Sequence, residues 1–305
     1  MFMMNKPCVA VKDLEKFYHA KPALAGITLN IQAGEIFGLV GPNGAGKTTF
    51  LKLLMGLVHP TGGTVKVFDR ELSEFTGEMR REVGYVAEEP NLYEFMTLRE
   101  LAAFTGEFYP GWDKTRCRRY LEKIKLPVSE KIKNFSRGMK TRTALVLALL
   151  TQPRLLLLDE PLEGLDPISR REFLNLLLEE FTSLKDRTVI ISSHHLVELE
   201  RICDRVGFLK QGRLFKVAPM ELLKGEAKTI RVVFQKEPPA ALFHLPGIKK
   251  VQQESKLGFL LTVEDNFSEI YEACSQTPHF VMEVYHRNLE ELFREYAGGG
   301  DGNGR

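Results

Sequence analysis

Residues Gly41 to Thr48 read GPNGAGKT, and this octapeptide restricts the possible folds more than any other stretch of the chain. It fits the pattern G-x-x-x-x-G-K-[ST], follows the apolar run IFGLV and precedes the helical pattern TFLKLLMGL, the strand, loop and helix that the chemistry of such a loop requires. Gly41, Gly44 and Gly46 let the backbone turn so that N–H groups, with those of Asn43, Ala45 and Thr49, line a nest at a helix N-terminus. There the helix macrodipole adds to the attraction for an anion. Lys47 then brings positive charge to the β and γ phosphates of a nucleotide, and Thr48 brings a hydroxyl to Mg²⁺, which prefers hard oxygen ligands. A chance glycine-rich turn needs neither flanking element, and here both are present.

Far downstream, the apolar run Leu155 to Leu158 ends in Asp159 and Glu160. An acid at the C-terminal end of a buried strand stands beside the phosphate loop of a parallel sheet. Asp159 is placed to hold the magnesium, and Glu160 to polarise an attacking water as general base. Alone, LLLLDE also describes a core strand closing in a solvated acidic turn; paired with GPNGAGKT it reads as the second half of a nucleoside triphosphatase.

Short apolar runs alternate with longer helical patterns: Ile36 to Val40 then Thr48 to Leu57, Arg142 to Leu150 then Leu155 to Leu158, Ile168 to Leu184 then Thr188 to Ser192. This predicts an α/β sheet buried on both faces. The early extended pieces Cys8 to Leu14, Leu24 to Ile31 and Thr64 to Phe68 predict an antiparallel β subdomain, and residues 90–150 a helical subdomain. Around Leu223 to Lys228, LLKGEAK ends a helix with glycine and charge before the pattern changes, which divides the chain into domains over 5–223 and 228–297. The second reads β-α-β-β-α-β, a ferredoxin-like order, with a further helix expected over Arg287 to Tyr296 and a disordered glycine-rich tail over 298–305.

The balance of 42 Lys and Arg against 40 Asp and Glu gives +2, so no global field draws this chain to nucleic acid or anionic lipid. The cysteines Cys8, Cys117, Cys203 and Cys274 are scattered without a C-x-x-C pair, which predicts reduced thiols rather than a zinc knuckle or disulfide framework. No apolar stretch reaches the roughly 20 residues of a spanning helix, and the N-terminus carries no secretory pattern.

The order GPNGAGKT, FSRGM at Phe135 to Met139, LLLLDEP, EGLD at Glu163 to Asp166 and SSH at Ser192 to His194 resembles the ATP-binding cassette subunits of ABC transporters, over about residues 5–223. The resemblance implies the P-loop cassette fold, with its mixed sheet core, antiparallel β subdomain and helical subdomain, and an ATPase using ATP and Mg²⁺. It implies a head-to-tail pair, most simply a homodimer, in which Ser136, Gly138 and Met139 act on the ATP held by a partner's Gly41–Thr48 loop. Asp166 then belongs to the loop crossing that interface. Tyr18 matches the aromatic that stacks on adenine, a role any π face can fill. His194 matches the switch histidine, with adjacent His195 as the fallback if the match slips by one. An integral membrane permease, a cytoplasmic place on the inner membrane face, and no nucleic acid are the implied surroundings.

Three positions depart from the family pattern. Glu88 stands where glutamine is usual, among the metal-side residues; Glu163 replaces a serine; and Arg137 replaces a glycine, a variant associated with exporter-type cassettes that pair with separate membrane subunits. The resemblance places Tyr93, Phe95 and Phe104 near the membrane-subunit face, although Phe104 also fits the core of the helical subdomain and is assigned there. The basic run KTRCRRYLEKIK, Lys114 to Lys125, reads as a solvated helix face. The second domain resembles the appended domains of exporter-type cassettes. Competing readings are a soluble cassette acting on ribosome or DNA, and a regulatory ATP sensor in which Glu88 marks weak turnover.

Overall fold

The computed structural model describes residues 6–74, 76–182, 187–194, 196–225 and 228–286, which divide into units meeting at Val217/Ala218. The division falls a few residues before the junction expected at Leu223–Lys228. The helix Met220–Gly225 goes with the second unit, because its buried Met220 and Leu223 make it a packed element rather than a linker.

In the first unit the elements run β1 (Pro7–Tyr18), β2 (Lys21–Gln32), β3 (Ile36–Val40), α1 (Lys47–Leu54), β4 (Gly62–Val67), β5 (Arg70–Glu71), α2 (Gly77–Arg81) and β6 (Val83–Val86). They continue through α3 (Leu98–Gly106), α4 (Lys114–Lys123), α5 (Arg137–Leu150), β7 (Leu155–Asp159), α6 (Pro167–Thr182), β8 (Thr188–Ser193), α7 (Leu196–Leu199), β9 (Arg205–Lys210) and β10 (Arg213–Pro219). Strands β2-β1-β4-β5 form the expected antiparallel sheet, and β10-β9-β3-β8-β7-β6 the central one. In the central sheet β9, β3, β8, β7 and β6 pair in parallel. Strand β10 follows β9 across Gln211–Gly212, a connection short enough only for an antiparallel pair, so the sheet is mixed.

The innermost strands are buried at nearly every position, LLLLD of β7 and TVIISS of β8 throughout, because both faces are covered. β2 instead alternates, with Ile27, Leu29 and Ile31 buried between exposed neighbours. Phe50, Leu51, Leu53 and Leu54 of α1 close the core between the sheets, each such side chain contributing roughly 1.5–3 kcal/mol on burial.

The helical subdomain is spliced between β6 and β7, neighbours in the sheet. It is started by side-chain caps: Thr97 with Glu100 in a reciprocal capping box for α3, Asp113 for α4 and Ser136 for α5. The basic α4 is only in part a solvated face, since Arg116 pairs with Glu180 of α6 at 2.5 Å and Lys123 with Glu179. Phe104 is corrected: it is 37% exposed and lies edge-on between Tyr93 at 5.5 Å and Phe108 at 5.1 Å in a surface cluster that also holds Phe95. It flanks the stripe of α3 that buries Leu98, Leu101 and Ala102.

The second unit contains α8 (Met220–Gly225), β11 (Lys228–Phe234), β12 (Ile248–Gln253), β13 (Gly258–Val263), α9 (Phe267–Gln276) and β14 (His279–His286). Its sheet order, β12-β13-β11-β14 with every pairing antiparallel, is that of a split β-α-β unit. The first crossover is a single 3₁₀ turn, Ala240–His244. Ile230, Val232, Phe234, Leu261, Ile270 and Cys274 form a core of its own. The helix expected at Arg287–Tyr296 and the tail over 298–305 lie outside the described residues.

Candidate active site

The register of the central sheet gathers the site. Strand β8 lies between β3 and β7, pairing Val40 with Ser193 on one side and Asp159 with Ser192 on the other. The chain therefore leaves these three strands at the same end, delivering the glycine-rich loop, the paired carboxylates and His194 together.

Gly46 ends the loop at φ 111°, and a β carbon there would stand 2.6 Å from the Ala23 carbonyl oxygen, so only glycine lets α1 begin at this point. Lys47 is buried, donating from Nζ to the carbonyls of Gly41 at 2.6 Å and Pro42 at 3.1 Å. The same ammonium lies 2.8 Å from Oε1 of Glu160, itself buried. A buried ammonium and carboxylate tolerate removal from water only as such a pair.

Asp159 is gripped by three hydroxyls: Thr48 donates to Oδ1 at 3.1 Å, Ser192 to Oδ1 at 2.9 Å and Tyr85 to Oδ2 at 3.2 Å. Burial, then the charge of Asp159, pushes the Tyr85 hydroxyl well above its ordinary pKa, which keeps it a donor. Glu160 follows in the left-handed region at φ 45°, an uncommon conformation outside glycine and one found at functional turns. Its N–H donates to Ser192 Oγ at 2.9 Å, while its Oε2 faces Nδ1 of His194 at 3.0 Å and accepts from the His194 N–H at 3.3 Å. Its Oε1, although close to Lys47, accepts no aligned hydrogen bond. Oε1 is thus taken up by its ion pair with the Lys47 ammonium.

Tyr18 and Thr49 join the loop residues Asn43, Gly44, Gly46, Lys47 and Thr48, with Glu88 and Glu160, in lining one cleft of about 540 Å³. Tyr18 is 44% exposed, and the Lys16 Nζ lies 5.2 Å from its ring centre. Gly41 and Ala45 stand behind the loop: Ala45 is buried and its carbonyl accepts from Gly212 at 2.9 Å. A larger cavity of about 660 Å³ opens around Trp112 and Cys117 in the helical subdomain and is lined by none of these residues.

Ser136, Gly138, Met139 and Asp166 do not line the cleft. Ser136 Oγ caps α5 by accepting from Met139 N–H at 3.2 Å, and Asp166 caps α6, accepting from Ile168 and Ser169 N–H at 3.0 Å each. These segments meet one another: a methyl at Gly138 would stand 3.2 Å from Leu165 Cδ2, and Arg137 packs on Gly164. Arg137 also reaches Glu88 at 3.7 Å, so two of the departures from the family pattern face each other. His195 lies outside the described residues.

Among the described residues two groupings offer metal ligands. Thr48 and Asp159 present a hydroxyl and a carboxylate already in contact beside the phosphate nest, the hard oxygens that magnesium takes together with substrate phosphates. Glu160, Glu163 and His194 bring one ligand atom each within 4.8 Å of one another, but these atoms bind each other. Sequence reasoning passed over Ser192 and Tyr85; parallel pairing of β7 with β6 and β8 turns both toward Asp159.

The family model described as ABC transporter matches residues 24–163. The bacitracin transport ATP-binding protein of Bacillus licheniformis is 35% identical over 71% of this chain and 71% of its own length. The Nod factor export ATP-binding protein I of Burkholderia orbicola is 36% identical over 78% of this chain and 80% of its own. Among solved structures, a dimeric bacterial ABC transporter cassette superposes with a TM-score of 0.62 at 25% identity, covering 70% of this chain and 98% of that one.

Proposed function

The chain belongs to the ABC transporter family as an ATP-binding, ATP-hydrolysing subunit, and from that premise we propose that it drives export through a separate membrane permease, working as a closed dimer with two Mg-ATP. The observation that carries the catalytic part is the setting of Glu160: buried, ion-paired with Lys47 at 2.8 Å and facing His194 at 3.0 Å. A carboxylate so held can accept the proton of a water attacking the γ-phosphorus, as the bond to the β-phosphate bridging oxygen breaks. Lys47 and the loop N–H groups hold the phosphate charge, and His194 orients the water. Thr48 and Asp159, with Glu88 nearby, are the residues to hold Mg²⁺, which when bound neutralises charge on the β and γ phosphates.

A dimer accounts for Ser136, Gly138 and Met139. The start of α5 is an anion-binding helix N-terminus that does not line the cleft holding Lys47 and Glu160, and its natural occupant is a phosphate on a second copy, with Asp166 beside the crossing. The name of one relative, the Nod factor export ATP-binding protein I, supports the export direction. Among the described residues no helix is long and apolar enough to cross a membrane; the permease on a separate chain and the place on the inner membrane face are proposed from the relatives, which are named as ATP-binding proteins of transport and export. The exposed cluster of Tyr93, Phe95, Phe104 and Phe108 is the proposed docking face for that permease, and the second unit is proposed as an appended regulatory or dimer-contact domain.

The test joins chemistry to partner. Glu160→Gln should keep ATP binding while lowering turnover by about a hundredfold or more; turnover equal to the parent would remove Glu160 from the role. Tagged protein taken from detergent-solubilised membranes should carry a multi-spanning protein in equal amount. Recovery of ribosomal or DNA-associated proteins instead would withdraw the transport reading and keep the ATPase.

A further inference from the structure

Glu88 brings a negative charge to a cleft that has to take an anion. Of the residues lining that cleft, Lys21 and Lys47 are cationic and Glu88 and Glu160 anionic, and the buried Asp159 touches the cleft-lining Thr48 from behind. The Lys47 ammonium is already paired with Glu160 at 2.8 Å. Among the described residues, then, carboxylates outnumber cations around the place of the phosphates until a divalent ion is bound, and it is the carboxylate at 88, where the family has an amide, that tips the balance. We propose that Arg137 is a positioning residue for nucleotide binding, acting through Glu88: its guanidinium offsets the charge of that carboxylate and so lets the cleft accept ATP. The inference rests on the reading of this cleft as the nucleotide site.

The contact is built from two sides. Arg137 Nη2 lies 3.7 Å from Glu88 Oε1. The same side chain is laid against Gly164, which has φ 68°: a β carbon there would stand 3.0 Å from Nη1 and 3.2 Å from both Cδ and Cζ, so glycine leaves the room that the guanidinium occupies. At its base Arg137 is set by the Ser136 cap that starts α5. It does not line the cleft itself, and Glu88 is its link to the nucleotide. The two side chains are 41% and 48% exposed, so the pair adds little to stability. Its worth is the repulsion it removes from the phosphates, and a field so open to solvent is screened by salt.

The experiment measures binding of a non-hydrolysable ATP analogue to the full-length chain by calorimetry, once in chelator and once in excess Mg²⁺. In chelator at low salt Arg137→Gln should weaken binding about three- to fivefold, the effect of one solvent-screened charge, while Arg137→Lys, which keeps the charge, should bind as the parent does. The deficit of Arg137→Gln should shrink in Mg²⁺, which neutralises phosphate charge, and should vanish at about 1 M salt. Glu88→Gln alone should bind more tightly than the parent in chelator, and combining it with Arg137→Gln should bring binding back to the parent's, both charges having been removed together. Arg137→Gln binding equal to the parent's in chelator, a double variant as weak as Arg137→Gln alone, or a deficit undiminished at high salt would overturn the proposal. Lys47→Ala separates this from the reading beneath it: its loss of binding in every condition keeps the cleft as the nucleotide site whatever Arg137 does, and binding equal to the parent's would overturn both.

Discussion

Replacing Ser192 by alanine removes one oxygen that does two jobs. That oxygen accepts from the Glu160 N–H at 2.9 Å and donates to Asp159 Oδ1 at 2.9 Å, and the residue has no exposed surface. Losing the acceptor orphans a buried N–H, at about 1–3 kcal/mol, and losing the donor removes a hydrogen bond to a carboxylate worth about 1.5–3 kcal/mol. Asp159 keeps Thr48 and Tyr85 as donors, so part of the second loss is absorbed and a net of about 2–4 kcal/mol is expected. For a unit of this size that corresponds to a fall of about 5–12 °C in thermal midpoint, read by circular dichroism or calorimetry on the transition that nucleotide shifts upward. Because the same bond holds Glu160 at its left-handed φ, kcat should drop by about tenfold or more at saturating Mg-ATP. A midpoint within about 1 °C of the parent together with unchanged kcat would show that the Ser192 hydroxyl does not peg the two carboxylates, and the account of how β8 positions them would fall.

Two further outcomes follow from the geometry. Hydrogen bonds from the Ser169 hydroxyl and N–H hold the Asp166 carboxyl below its ordinary pKa, so its cap stabilises the fold above the unfolded-state value near 4 and is lost as pH falls below that value. Asp166→Asn keeps a cap that does not titrate, and urea unfolding at pH 5 and pH 3 should show a smaller acid loss for the variant than for the parent; equal losses would refute the assignment. All the cysteines, Cys8, Cys117, Cys203 and Cys274, are buried, and desolvation raises each thiol, that of Cys274 to about 11. At pH 8 the native protein should react slowly or not at all with a chromogenic disulfide reagent and release all four thiols in denaturant, whereas a rapid native reaction would contradict the burial.

The parts of the site that announce themselves in the sequence are those whose local chemistry is unusual. GPNGAGKT is legible because a phosphate nest needs glycine at fixed places, and LLLLDE because carboxylates rarely end a fully buried strand. Ser192 and Tyr85 carry no such mark: a serine closing TVIISS and a tyrosine in GYVAEE become partners of Asp159 only through the register of β8 and β6 on β7. The short strands β6, β9 and β10 escaped the periodicity reading because each is only four to seven residues long and is broken by glycine or charge. The apolar character of Phe104 suits a core position, but an aromatic at the solvent edge of α3 has the same composition as one on its buried stripe. In the second unit each expected strand has its counterpart, since alternation along an antiparallel sheet survives in a single sequence.

The order of strands in the central sheet also sets a timetable. β3, which bears the phosphate loop, has as its neighbours β8 and β9, so Phe37 pairs with Ile190 and Arg205, residues made more than a hundred positions later. The β1–β2 hairpin needs only adjacent residues and can form while synthesis continues, but the strand that carries the loop stays unclasped until about residue 208 has left the ribosome. A growing chain therefore carries its most conspicuous motif long before it can hold nucleotide, and any premature stop between that motif and β8 leaves a fragment whose apolar strand has no partner on either side.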